Sequence, residues 1–188
     1  MSEFQLAAGL EAFRAEARKL ADKAFREKAA YWDEREEFPA ENRDLLARLG
    51  YLGMVIPERY GGAGAPVIQG AVFLEEIARA CFNTALLCQL ALNGPSRAIA
   101  ILGTEEQRWR WLPKCASGEY MFAIGISEPG AGSAVTDMTS TASADGGIYV
   151  LKGQKAFAGK HRRACMTSPL TVRSSSSRRT MPAVGHCR

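Results

Sequence analysis

The chain has 188 residues, 24 of them basic and 20 acidic, and a formal net charge of +4 at neutral pH. That excess is local: through Asp145 there are 15 basic and all 20 acidic residues, a net of −5, whereas the 43 residues from Gly146 onward carry nine basic residues and no acid. Overall basicity is therefore excluded as a sign of nucleic-acid binding, because the positive charge belongs to one terminal segment.

An apolar fraction of 47% and a charged fraction of 23% fit a globular protein of one domain or two small ones. The apolar runs are interrupted before the ~18 to 20 residues of a membrane span. The first twenty residues are charged and lack the apolar core of a signal peptide. The expectation is a cytoplasmic chain with no membrane partner. Five cysteines, Cys81, Cys88, Cys115, Cys165 and Cys187, show no CxxC spacing and an odd count, so buried free thiols are expected in place of a disulfide framework or a zinc site.

In chain order, Leu6, Leu10, Phe13, Ala17, Leu20 and Ala24 recur at alternating spacings of four and three, which predicts one long amphipathic helix over 3–30 with Arg14 on its surface. A second helix is predicted over 40–49, between Pro39 and Gly50. Four glycines and a proline make 50–64 a packed irregular connection. Phe73, Ile77 and Cys81 predict a helix over 67–82, and 84–101 reads as a further helix, apolar almost all round and so buried. Thr104 and Gln107 form a capping box opening a fifth helix that ends between 113 and 118. From about 120 the pattern changes: 120–127 is rich in aromatic and β-branched residues, Asp145-Gly146-Gly147 signals a turn, and 148–151 has strand character. The acid-free segment 160–188, with Arg and Ser in runs, fits neither pattern and is expected to be disordered or poorly packed.

Chemistry is expected in Phe122-Ala123-Ile124-Gly125-Ile126-Ser127-Glu128-Pro129-Gly130-Ala131-Gly132-Ser133, where a strand runs into a glycine-rich loop whose N–H groups can approach a ligand closely. It is not a dinucleotide fingerprint, because GxGxxG and a following helix are absent, and it lacks the GKS or GKT of a phosphate loop. Neighbours on a helix do not face each other, so Glu75 and Glu76 read as a solvated face and not as an acid–base pair. The two histidines, His161 and His186, lie in the anomalous tail and offer no catalytic dyad. Without interleaved aromatics, the Arg and Ser cluster makes no nucleic-acid module.

Read together, five segments in order resemble the acyl-CoA dehydrogenases: Leu46-Ala47-Arg48-Leu49-Gly50-Tyr51-Leu52-Gly53-Met54-Val55-Ile56-Pro57-Glu58-Arg59-Tyr60-Gly61-Gly62, Phe73-Leu74-Glu75-Glu76-Ile77-Ala78-Arg79, Gly103-Thr104-Glu105-Glu106-Gln107-Arg108, Ile126-Ser127-Glu128-Pro129-Gly130-Ala131-Gly132-Ser133 and Tyr149-Val150-Leu151-Lys152-Gly153-Gln154-Lys155. The resemblance covers about 1–159. It implies an α+β chain: an N-terminal all-helical domain over 1–118, the start of a β-barrel or β-sandwich-like middle domain over 119–159, and a basic tail over 160–188. The family's C-terminal four-helix domain has no counterpart.

The resemblance further implies FAD as cofactor, an acyl-CoA as substrate, dehydrogenation to the 2-enoyl-CoA, an electron-transfer flavoprotein as acceptor and a homotetramer. Ile124, Gly125, Ile126 and Ser127 fall where the family's strand lines the flavin. Gly132 and Ser133 fall where the loop meets cofactor and thioester. Phe157 takes the place of a Trp beside the ring and Gly159 that of a hydroxyl residue, losing an N–H and an O–H respectively; Ala134 replaces an Asp. The family's carboxylate base belongs to its C-terminal domain, so this polypeptide alone is expected to be inactive. A shifted reading frame near codon 160 would account for both the tail's composition and the end of the resemblance. The alternative from another class is a non-catalytic helical interaction protein or a basic-tailed binding remnant.

Overall fold

A computed structural model of the protein describes residues 6–122, 124–145, 148–156 and 171–173. The chain divides into two compact units, Met1–Phe122 and Ala123–Arg188. The first is helical and the second carries a small sheet.

In the first unit α1, Ala8–Ala24, packs on α4, Val67–Ala80: of the expected stripe Ala17 is fully buried and Phe13, Leu20 and Ala24 partly so, while Ala21 and Phe25, one position along, are fully buried with Phe73 and Ile77. Phe73 is the pivot, tilted against Phe13 with centroids 6.3 Å apart and stacked on Tyr51 at 4.4 Å. The predicted helix over 3–30 is shorter than expected, because the chain turns after Phe25. A separate α2, Ala29–Glu34, then returns the buried Trp32 to the core. Burying that indole decides the break, since no Gly or Pro marks it.

Helix α3, Ala40–Arg48, stops where Gly50 takes φ 78°, a conformation that costs other residues more. The irregular connection that follows is held by main-chain hydrogen bonds. Gly62 sits so close that a Cβ there would fall on the Ile56 main-chain oxygen and lie 2.6 Å from that of Gly53.

Where one helix was expected over 84–101 there are two, α5 (Phe82–Asn93) and α6 (Pro95–Leu102), separated at Gly94. Pro95 lacks the N–H that would continue the ladder and suits a first helical position. Taken together, Phe82–Leu102 is long and apolar enough over 21 residues to cross a membrane by length and composition, which the reading of single apolar runs passed over. It folds here as two helices that bury one face each, with Leu87, Cys88, Leu92 and Ile99 inside, while Phe82, Leu86, Ile101 and Leu102 are exposed, so the expected all-round burial is not found. Helix α7, Glu105–Ala116, opens with the expected capping box: Gln107 N donates to Thr104 Oγ1 at 3.2 Å and Thr104 N to Gln107 Oε1 at 2.9 Å. The first unit extends past the expected domain end at 118, because the rings of Tyr120 and Phe122 pack on Trp111 at 5.9 and 5.8 Å.

In the second unit β1 (Thr141–Asp145), β2 (Ile148–Lys152) and β3 (Thr171–Arg173) form an antiparallel sheet in the order β1-β2-β3. Asp145 pairs with Ile148, as the Asp-Gly-Gly turn signal predicts. The sheet's third strand comes from the segment that composition reads as unstructured; its β-branched Thr-Val pair is compatible with an edge strand. The rest of that tail, 160–170 and 174–188, lies outside the described residues. Among the described residues of 120–127 the expected strand does not form. A strand needs a partner ladder, and among the described residues 124–127 receives a single main-chain bond, Ala156 N to Ser127 O at 2.8 Å.

Candidate functional site

The loop singled out by sequence is built around a tight turn. Glu128 N donates to Ala131 O at 2.9 Å and Ala131 N returns to Glu128 O at 3.1 Å, with Pro129 supplying the fixed φ of the turn's second position. Past it, Gly132 and Ser133 are exposed, and among the described residues their N–H groups meet no acceptor. A Cβ built at Gly130 or Gly132 meets nothing within 4 Å, so the space over the loop is open.

What holds the turn is its own acid. The Glu128 side chain is only 4% exposed. It accepts from Thr139 N at 2.8 Å, Thr139 Oγ1 at 2.9 Å, Ser140 N at 3.1 Å and Lys155 Nζ at 2.9 Å. Four donors match the acceptor capacity of a carboxylate. The Ser140 side chain, the Lys155 ammonium and the Thr139 amide hold its carboxyl far below the usual carboxylate range, against the opposing effect of burial. Ser140 Oγ sits beside the carboxylate but is not aligned for a directed hydrogen bond. Space there is tight: Gly153, at φ 153°, faces Ser140 so closely that a Cβ would fall on its side chain.

Of the residues predicted for the site, Ile124 and Ile126 are 43% and 45% exposed, a large value for branched apolar side chains. Gly125 and Ser127 are half-buried. Phe157 and Gly159 lie outside the described residues. The structure joins 126–128 to 138–140 and to 155–156, through Glu128, Lys155 and the Ala156 N–H. Sequence reading missed Glu128 and Lys155 as anchors. They are 27 residues apart and carry no periodic signal, being visible only as members of two motifs.

The helical unit corrects a second expectation. Glu75 is solvated, but Glu76 is buried, its carboxylate accepting from Arg18 Nε and Nη2 at 2.8 and 2.9 Å and from Arg79 Nε at 3.2 Å, with Arg14 Nε also 3.2 Å away. Arg18 first, then Arg79, lowers its pKa against burial. Acids so fully engaged by cations join helices and are poor general bases. Cys81, Cys88 and Cys115 are free and buried, as expected, and burial pushes the Cys115 thiol up to about 12. Cys165 and Cys187 lie outside the described residues.

With this geometry in view, residues 8–119 match the family model described as acyl-CoA dehydrogenase, N-terminal domain. The chain is 38% identical over 142 residues to the 3-sulfinopropanoyl-CoA desulfinase of Variovorax paradoxus, covering 76% of this chain and 35% of that protein. It is 43% identical over 113 residues to the acyl-CoA dehydrogenase FadE12 of Mycobacterium tuberculosis, covering 58% and 28%. Its fold superposes with a TM-score of 0.75 and 26% identity on a glutaryl-CoA dehydrogenase from Mycobacterium smegmatis in complex with FADH2, over 81% of this chain and 39% of that one. The chain thus spans less than half the length of the curated relatives it matches.

Proposed function

This chain belongs to the acyl-CoA dehydrogenase family, and from that premise we propose that it carries the N-terminal helical domain and the first part of the flavin- and acyl-CoA-binding domain of a CoA-thioester oxidoreductase. The observation that carries this reading is the loop 124–133, where Ile124, Ile126, Gly132 and Ser133 are exposed, the Gly132 and Ser133 N–H groups meet no acceptor among the described residues, and a buried acid holds the turn. Such a surface suits a flat ring with a polar edge. Ile124 and Ile126 offer the apolar face; Gly125, Ser127 and Gly132 offer main-chain N–H and hydroxyl groups; Ser133 meets the thioester by resemblance. Phe157 and Gly159 complete the set by resemblance.

When bound, FAD supplies the electron sink for α,β-dehydrogenation of the acyl-CoA. The residues of this chain bind and orient. Glu128 cannot serve as the base that removes the α proton, because its lone pairs are occupied and it is held ionised well below neutral pH. We propose that residues 1–159 supply binding and orientation and not the base, and that the 188-residue chain tested by itself does not turn over. In the family, by resemblance, the enzyme is a homotetramer whose electrons pass to an electron-transfer flavoprotein.

A second reading within the same family, desulfination of a sulfinated acyl-CoA, rests on the similarity to two 3-sulfinopropanoyl-CoA desulfinases, 38% identical over 142 residues in Variovorax paradoxus and 41% over 139 in Cupriavidus necator. The test is to titrate the purified chain with FAD and record absorbance between 350 and 500 nm. Saturable binding supports the reading, and its absence favours a non-catalytic remnant. Incubation with an acyl-CoA and an artificial electron acceptor, and in parallel with 3-sulfinopropanoyl-CoA, then separates the chemistries. Turnover of either by the chain alone refutes the proposed inactivity.

A further inference from the structure

The Lys155 ammonium is 17% exposed and has three donors to place. The structure gives it three acceptors: Glu128 Oε1 at 2.9 Å, Ile126 O at 3.1 Å and Met138 Sδ at 3.2 Å. Donors and acceptors close on each other, because Glu128 is filled by this ammonium and by the Thr139 and Ser140 groups. A polar network satisfied on both sides fixes one geometry, whereas a half-satisfied one would be costly to bury.

One member of the network is a backbone group of the loop itself. The peptide unit is planar and trans, so the C=O of Ile126 and the N–H of Ser127 point in opposite directions. Drawing the Ile126 carbonyl onto Lys155 turns the Ser127 N–H the other way, and among the described residues that N–H has no acceptor. The following carbonyl, of Ser127, is taken by Ala156 N at 2.8 Å. Two successive peptide planes are thus set by Lys155 and its neighbour before any ligand arrives.

We propose that Lys155, held by Glu128, is a positioning residue that pre-aims the Ser127 N–H at the acceptor edge of the flavin, a role that rests on the flavin reading above. Lysine suits it because one ammonium can hold a carboxylate and a carbonyl in different segments at once. Preorganisation of this kind lowers the ordering cost at binding.

The experiment compares the full 188-residue chain with Lys155→Met and Lys155→Arg, using two readouts on each. FAD titration followed by flavin fluorescence gives affinity, and hydrogen exchange by mass spectrometry gives the order of 124–133. Lys155→Met is expected to weaken FAD binding by about tenfold or more, the size seen when supports behind ligand-binding groups are lost. It is also expected to speed exchange in 124–133 while leaving exchange in α1 and α4 unchanged, and Lys155→Arg is expected to restore part of both. Equal FAD affinity in wild type and Lys155→Met overturns the proposal, as does unchanged exchange in 124–133. If the wild-type chain fails to bind FAD, the flavin reading falls, and the exchange result alone decides whether Lys155 orders the loop.

Discussion

Replacing Glu76 by Gln removes a negative charge from beneath Arg14, Arg18 and Arg79 while keeping the shape of the side chain. The carboxylate is 2% exposed and takes three directed bonds, two from Arg18 and one from Arg79. Hydrogen bonds to charged groups contribute roughly 1.5–3 kcal/mol net, and removing one partner of a fully buried pair costs about 3–5 kcal/mol. The arginines here are not fully buried, at 29%, 53% and 38% exposure for Arg14, Arg18 and Arg79, so they regain water once the acid is gone. The expected loss is therefore about 2–3 kcal/mol at pH 7, below the fully buried limit. The sign with pH follows from the lowered pKa of Glu76. Its contribution is fully present above the unfolded value, near 4.5, and is lost as pH falls through the lower folded value. Urea unfolding of both proteins, followed by tryptophan fluorescence at pH 7 and pH 3, should show the wild-type advantage shrinking at the lower pH. A gap under about 0.5 kcal/mol at pH 7, the scale of an exposed pair, would refute the reasoning. So would a gap that stays constant down to pH 3.

Gly62→Ala drives a Cβ onto main-chain oxygens that cannot move without unmaking the 50–64 connection, and should cost about 2 kcal/mol or more in thermal unfolding. Gly9→Ala, in α1 with nothing within 4 Å, should gain up to ~0.5–1 kcal/mol in the same assay. Thr104→Ala removes the cap of α7 and should lower stability by about 1 kcal/mol, with Thr104→Ser recovering most of it. Iodoacetamide labelling of the native chain at pH 8, mapped by mass spectrometry, should leave Cys88 and Cys115 unmodified, since burial raises both thiols. For Cys115, at about 12, only roughly one molecule in ten thousand would be thiolate at that pH.

The sequence by itself determined the features that depend on near neighbours. The helical period of α1, the Thr104–Gln107 box, the stop at Gly50 and the pairing of Asp145 with Ile148 are each decided by a few nearby residues, and each appears in the structure. The loop 124–133 was legible too, as a glycine-rich break between motifs. The division of 82–102 at Gly94 and Pro95 was also within reach, from the missing proline N–H.

Tertiary structure decided what depends on distant partners. Glu76 reads as a surface acid until α1 brings Arg18, 58 residues away, against it. The end of α1 is set by the burial of Phe25 and Trp32, not by a breaker. Residues 120–127 have strand composition, yet propensity cannot supply the second strand that a ladder requires. Glu128 and Lys155 become one element only because the β1–β2 hairpin closes the 27 residues between them. Short-range preferences are additive along a chain, whereas burying a charge is tolerable only where another segment delivers its counter-charge.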